Sequence, residues 1–362
     1  MHIITIQNNA HKALDRKLAR DILSESGFTL LREGMVITPS HIRLLKMYGI
    51  ETIPVYGHTS FLEQLDAKVK EQHQPFVKAY RESFNEMKRL FSAAEEEEVP
   101  NLEKTLDSFE ALVSEALESY SLFEVLQQLE GHDGYLLRHS IHVGLLTALM
   151  ARLMKKSDEE IMAYAKAGLL HDIGMVKAPA GVFNDSRELS EAEWEEVRRH
   201  PQIGYELLKD TGVSQLVLDA ALYHHERMDG SGYLNGVKED AIPEVAALIA
   251  IADVFDAVSS DRVHRKKLAP MDALKTVNDE IYRGKLSARC GLVFIEHMTS
   301  TYTGTTVYLS DGRFAQIVRY NAKDLANPLI SLDGHVLPLK ELKGLTIEDI
   351  ADNRIHELQK QK

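Results

Sequence analysis

The sequence predicts a mainly α-helical protein with a small β-containing unit at its N-terminus and β-hairpins at its C-terminus. Three observations carry this. Apolar residues recur at spacings of three and four from about residue 58 to residue 285, the signature of helices with one buried face. Short strand-like runs separated by glycine-containing turns are confined to the first 57 residues and to the tail beyond about residue 290. Sixteen histidines are present, and eight of them fall between residues 131 and 285.

In residues 1–57, Ile22-Leu23 and Phe28–Leu31 flank Ser24-Glu25-Ser26-Gly27, a hairpin pattern with glycine in the turn. Thr38-Pro39 marks a helix start, with threonine as cap and proline in the first turn, where its missing N–H costs nothing. Ile42, Leu44, Leu45 and Met47 supply an apolar face, Gly49 ends the helix, and Glu51–Tyr56 reads as a strand. Nothing here carries catalytic chemistry, and a docking or oligomerisation module is the expected role. In residues 58–130, Phe76, Tyr80, Phe84, Met87 and Phe91 form one helical stripe, and Leu102, Leu106, Phe109, Val113, Leu117 and Tyr120 form another. These stripes suit a core or a homodimer contact equally. Glu95–Glu98 and Pro100 separate them as a solvated helix end. In residues 286–362, Thr305–Leu309, Asp311-Gly312 and Phe314–Tyr320 form one hairpin pattern. Leu329–Leu332, Asp333-Gly334 and Val336–Leu339 form a second.

Composition narrows the function. The 362 residues are 44% hydrophobic and 27% charged, ordinary for a folded globular protein of two or three units. The 42 Lys+Arg against 55 Asp+Glu give a net charge of −13, unsuited to a DNA or RNA polymer. Cys290 is the single cysteine, which excludes a disulfide framework and fits a reducing compartment. No apolar run approaches the length of a membrane span, and Met1–Asn9 lacks signal-peptide character. A cytoplasmic protein without membrane attachment is expected.

The histidines point to a metal centre. In order stand His139, His171-Asp172, His200, His224-His225 and Asp253. Each pair alone is weak evidence. Asp253, however, interrupts the apolar stretch Val245–Phe255, and a carboxylate buried there needs a partner, because an unpaired buried charge is very costly. Five imidazoles and two carboxylates exceed what one divalent ion takes and suit two. With no thiolate in the set, nitrogen and oxygen ligands favour iron or manganese.

The order H…HD…H…HH…D, followed by the block His224-His225-Glu226-Arg227-Met228-Asp229-Gly230-Ser231-Gly232-Tyr233, resembles the HD-GYP domain of the HD phosphohydrolase superfamily. So does the closing run Ala252–Arg262 with Arg265 and Pro270; the likeness spans about Asp133–Ala273. The resemblance implies an all-helical catalytic domain, here placed at residues 131–285, preceded by a helical connector at 58–130. It implies an enzyme, a phosphodiesterase that hydrolyses cyclic di-GMP at a binuclear iron or manganese centre through a hydroxide shared by the two metals. His139, His171, Asp172 and Asp253 match the ligands of one metal, and Asp172 would bridge, as the catalytic carboxylate, to a second held by His200, His224 and His225. Gly232 and Tyr233 match the loop that names the family, and Arg262 and Arg265 match its phosphate-contacting positions.

Three positions depart from the family pattern. Met175 stands where a lysine is usual, and Lys177, two residues on, is the candidate to replace it at the substrate. Leu234 replaces the proline after Gly-Tyr, which implies a looser loop. Tyr135 stands where members with a third metal carry glutamate, and a phenol with a pKa of about 10 is a poor ligand. Two metals, and a linear pGpG product rather than GMP, are therefore expected. A cyclic-dinucleotide receptor without turnover and a hydrolase of another cyclic dinucleotide or nucleotide phosphoester are the alternatives. Other residues have plainer expected roles: His142 behind the ligands, His132 at a helix start, His264 beside the two arginines, Cys290 buried, and Ser190 with Glu193 as a capping box.

Overall fold

A computed structural model describes residues 2–6, 13, 18–24, 29–35, 37, 39–55, 74–95, 102–118, 126, 134–178, 190–260, 268, 270–321 and 324–350. Thr38, Tyr56, Tyr120, His132, Arg262, His264, Arg265, the turn Glu25–Gly27 and the run from Glu96 to Pro100 lie outside the described residues. The chain divides into two compact units, one drawn mainly from Met1–Arg138, the other from His139–Pro179, Leu189–Asp261 and Arg265–Lys362.

In the first unit β1 (His2–Thr5) pairs antiparallel with β4 (Thr52–Val55), Ile4 opposite Ile53. Between them come β2 (Ile22–Leu23), β3 (Thr29–Leu31) and helix α1 (Pro39–Met47), and β2 and β3 form the hairpin. Strand alternation sends Ile4, Ile53 and Val55 inward onto Leu18, Ile37, Ile42 and Leu45, a small separate core. Gly49 at φ +69° turns the chain out of α1, while the Ile50 N–H donates to the Leu45 carbonyl. The stripes of α2 (Gln74–Glu95) and α3 (Glu103–Glu118) bury Phe76, Tyr80, Phe84 and Met87 on one and Phe109, Leu112 and Val113 on the other. The two helices pack together. Arg43 of α1 pairs with Glu95 at the end of α2 at 3.2 Å.

The second unit is a helical body followed by a sheet. Helix α4 (Tyr135–Leu153) enters it, and α5 (Asp158–Leu170) starts on a capping box of Ser157 and Glu160 and ends at His171. A 3₁₀ turn, Ile173–Lys177, follows. The expected capping box of Ser190 and Glu193 starts α6 (Glu191–Val197); then come α7 (His200–Leu208), α8 (Gln215–Tyr223) and α9 (Glu244–Ser259). Helix α9 carries the longest apolar run, Val245–Ala252, and every residue of it is buried. Two glycine crossings set the spacing of this body. A Cβ on Gly168 of α5 would stand 2.8 Å from the Gly144 Cα of α4. A Cβ on Gly174 would stand 2.0 Å from the His200 carbonyl oxygen of α7. Only glycine lets these backbones approach so closely.

Helices α10 (Pro270–Tyr282) and α11 (Ala288–Tyr302) pack on α9, with Phe255 edge-on to Phe294 at 5.1 Å. The segment from residue 286 thus holds a helix before its strands, because Phe294, Ile295, Met298 and Tyr302 recur at helical spacing and are buried. Cys290 is buried there too. Both expected hairpins are present: β5 (Thr306–Leu309) with β6 (Phe314–Asn321), and β7 (Asp324–Leu332) with β8 (His335–Pro338). Asp333 and Gly334 both take positive φ, the twist a two-residue turn requires. Strand β9 (Ile347–Ile350) adds to β5, giving one antiparallel sheet in the order β8-β7-β6-β5-β9.

Candidate metal centre

Four helices and the turn after α5 bring the seven expected ligands to one buried place. His139 comes from the second turn of α4 and Asp253 from α9. His171 caps α5 in helical conformation, but Asp172 leaves it (φ −100°, ψ 12°), so two adjacent side chains reach the same centre. His200 opens α7, held close by the glycine crossing at Gly174, and His224-His225 end α8.

The seven sort into two groups whose ligand atoms lie within 4.8 Å of one another: His139, His171 and Asp253 in one, Asp172, His200, His224 and His225 in the other. Asp172 reaches into both. Its Oδ2 lies 3.8 Å from His139 Nε2 and 3.5 Å from His171 Nε2. Its Oδ1 lies 3.2 Å from His200 Nε2 and 3.4 Å from His224 Nε2. Asp253 Oδ1 stands 3.1 Å from His139 Nε2, and its Oδ2 stands 3.9 Å from His225 Nδ1.

The outer nitrogens fix how these rings face. His171 Nδ1 donates to the Gly168 carbonyl at 2.7 Å, His200 Nδ1 to Val197 at 2.7 Å, and His224 Nδ1 to Ala220 at 2.9 Å. A carbonyl only accepts, so in each neutral ring the proton sits on Nδ1 and the Nε2 lone pair points inward. His139 is oriented differently: its Nδ1 lies 2.7 Å from Asp256 Oδ2, and the other Asp256 oxygen takes His142 Nδ1 at 3.0 Å.

This arrangement fits a cation. His200 Nε2 and His224 Nε2 face each other at 3.0 Å, and both face an oxygen of Asp172. Acceptors crowded against acceptors repel unless a positive charge sits among them. Two nitrogens each about 2 Å from one ion come about 3 Å apart when the angle between them is near a right angle. His171 Nε2 is buried without a hydrogen-bond partner among the described residues. Burial pushes the His171 imidazole down to about 4, keeping it neutral at pH 7. Burial and the neighbouring imidazoles push His225 well down as well. Burial alone would raise Asp172 and Asp253, yet the surrounding imidazoles, His171 first at Asp172 and His139 first at Asp253, hold both carboxyls far below their usual range. Neutral nitrogens beside ionised carboxylates are a ligand set for divalent metal.

The remaining site residues stand as follows. Tyr233 stacks on His225, ring centres 4.6 Å apart at 27°, and meets His200 edge-on at 6.4 Å. Burial pushes its phenol strongly up. Gly232 lies so close to the chain that a Cβ there would stand 2.5 Å from the His225 carbonyl oxygen. Met175 is buried within the 3₁₀ turn, whereas Lys177 at its end is exposed. Tyr135 opens α4 and is half-buried. His142 sits behind His139 as expected. Sequence reasoning gave no role to Asp256, although it lies one helical turn after Asp253, on the same face of α9. That spacing was the available signal.

The HD domain family model matches residues 116–285. The chain is 33% identical over 208 residues to a cyclic di-GMP phosphodiesterase of Pseudomonas aeruginosa, covering 57% of this chain and 50% of that protein. It is 37% identical over 161 residues to a cyclic di-GMP phosphodiesterase response regulator of Xanthomonas campestris, covering 44% and 42%. It is 32% identical over 162 residues to a 3'3'-cGAMP-specific phosphodiesterase of Vibrio cholerae, covering 45% and 35%. The chain thus spans half or less of the length of these curated relatives. Among solved structures, a HDG"Y"P protein from Bdellovibrio bacteriovorus shares the fold, with a TM-score of 0.54 at 16% identity, covering 82% of this chain and 99% of that one. Residues 116–285 thus match an HD domain, the part of the chain that is similar to these cyclic-dinucleotide phosphodiesterases.

Proposed function

We propose that this chain is a metal-dependent phosphodiesterase that hydrolyses cyclic di-GMP, and that residues 131–285 are its catalytic domain. The observation that carries the reading is the placement of Asp172, with one oxygen toward each ligand group. His139, His171 and Asp253 would hold one ion, His200, His224 and His225 would hold the other, and Asp172 would serve both. The donor set favours iron or manganese. Such an ion pair, when bound, makes hydroxide available near neutral pH and takes up charge from a phosphate oxygen. Asp172 fixes the spacing at which a phosphodiester is gripped. Tyr233 borders the centre with an aromatic face, and Arg262 and Arg265 offset the remaining phosphate charge. Lys177 takes the place of the family lysine. A homodimer formed through the helices of residues 58–130, residues 1–57 as a docking module, residues 286–362 as an extension, and a cytoplasmic location complete the reading. No helix among the described residues is long and apolar enough to cross a membrane.

Tyr135 in place of a carboxylate favours a single cleavage, leaving linear pGpG, because the second step must hold a more highly charged terminal phosphate. A receptor that binds without turnover is the second reading, favoured by the buried thioether of Met175 where an ammonium is usual. Protein loaded with Fe²⁺ or Mn²⁺ without oxygen, given cyclic di-GMP or 3'3'-cGAMP and followed by chromatography, tests this. About two ions per chain and accumulation of pGpG ahead of GMP are expected, with Tyr135→Glu speeding GMP. Binding without hydrolysis would establish the receptor. Hydrolysis of 3'3'-cGAMP alone would reassign the substrate.

A further inference from the structure

The loop that ends in Gly232-Tyr233-Leu234 lacks the proline that would stiffen it, yet it is held tightly. The Tyr233 N–H donates to the His225 carbonyl at 3.2 Å, and the Gly230 N–H donates to the Arg227 carbonyl at 2.7 Å. The far side of the loop is held by a side chain. Glu226 is 2% exposed, and its Oε1 accepts the backbone N–H groups of both Asn235, at 2.7 Å, and Gly236, at 3.1 Å. Its other oxygen, Oε2, is buried and has no hydrogen-bond partner among the described residues. Among the described residues the carboxylate's hydrogen bonds therefore go to the loop alone, and charge-assisted bonds of this kind are the strong ones. Leu234, between the two anchors, is 36% exposed, and its N–H makes no hydrogen bond among the described residues.

We infer that Glu226 is a positioning residue that clamps residues 230–236 against the end of α8, so that Tyr233 is kept stacked on His225 at the edge of the metal centre. It does from the side what a proline would do from within the loop. The clamp itself is independent of the reaction; its effect on substrate rests on the reading of the site as a cyclic-dinucleotide phosphodiesterase.

The test begins with the unmodified full chain. Amide hydrogen exchange at Asn235 and Gly236 should be slow, and unprotected exchange at both would overturn the inference. Glu226→Ala should raise exchange across 230–236 by roughly tenfold or more while the helices keep their protection and the metal content stays. Glu226→Gln, which retains a carbonyl acceptor, should keep most of the loop protection. In manganese-loaded protein, Glu226→Ala should raise KM for cyclic di-GMP by about tenfold, with a smaller change in kcat. Leu234→Pro in the Glu226→Ala background should recover at least half of both the protection and the KM. Unchanged exchange in Glu226→Ala would overturn the clamp, as would a Glu226→Gln loop as loose as that of Glu226→Ala, or a proline that restores nothing. If no cyclic di-GMP is hydrolysed while exchange behaves as stated, the substrate reading fails and the clamp stands.

Discussion

The histidines of the centre are oriented by two different means. His200 and His224 each donate Nδ1 to a carbonyl three or four residues earlier in the chain, and so does His171 across the shared carboxylate. Those rings are aimed by carbonyls at the ends of α5, α6 and α8, and a side-chain substitution cannot remove the acceptor. His139 is aimed by Asp256, 117 residues away, which also holds His142 and accepts from Ser260 Oγ at 3.1 Å. The first device is local and comes with the helix. The second depends on α4 and α9 being packed together. A ligand oriented by a carboxylate is also a more basic ligand than one oriented by a carbonyl, so the two halves should differ in affinity and in vulnerability.

The strongest way to break the comparison is to remove what the halves share. Asp172→Ala should abolish hydrolysis and reduce bound metal below about a tenth of the wild-type content, by elemental analysis; one full equivalent retained would show that Asp172 serves one half only. Gly174→Ala comes next. Its Cβ would meet the His200 carbonyl oxygen and the Gly204 nitrogen, which sits 2.6 Å away. The backbone of α7 must retreat, at a cost of about 1–3 kcal/mol in denaturant unfolding, and the His200 side should lose its ion before the His139 side.

Asp256→Asn separates the halves most cleanly. A chelator titration should resolve into two phases, one ion held about 10- to 100-fold more weakly and the other unchanged. Equal weakening of both would show that Asp256 does not act on one half alone. The smallest effect is expected far from the ligands. Glu244, at the start of α9, takes Lys156 at 2.5 Å and the Tyr164 hydroxyl at 2.9 Å. The hydrogen bond from Lys156 holds its carboxyl below the usual value despite partial burial. A lowered carboxyl stabilises the fold above the unfolded value and loses that contribution as pH falls through the folded one. Glu244→Gln should therefore cost about 0.5–1 kcal/mol at pH 7. The gap should close below pH 4.5, the ordinary value for this carboxyl, with metal content unchanged throughout.

Several features were open to sequence reasoning because residue type alone encodes them. The helical stripes, the Ser190 capping box, the Asp-Gly turns and the seven side chains that could hold metal are of this kind. Imidazole and carboxylate are ligands wherever they stand, and a periodicity or a cap acts within a few residues. The looser loop expected from Leu234 leaves out Glu226, whose hydrogen bonds to the loop span nine and ten positions. Strand β9 went unread because four residues show little pattern until β5 is beside them.

By itself, then, the sequence determined the donors and their order, the elements that carry them and the family they mark. The tertiary structure alone decided that Asp172 divides its oxygens between two groups, that Asp256 rather than a carbonyl aims His139, and that Glu226 holds the loop. The reason is geometric. Which carboxylate meets which imidazole is set to a few tenths of an ångström by how closely the helices pack, and that closeness exists only once Gly168 and Gly174 let the folded backbones touch.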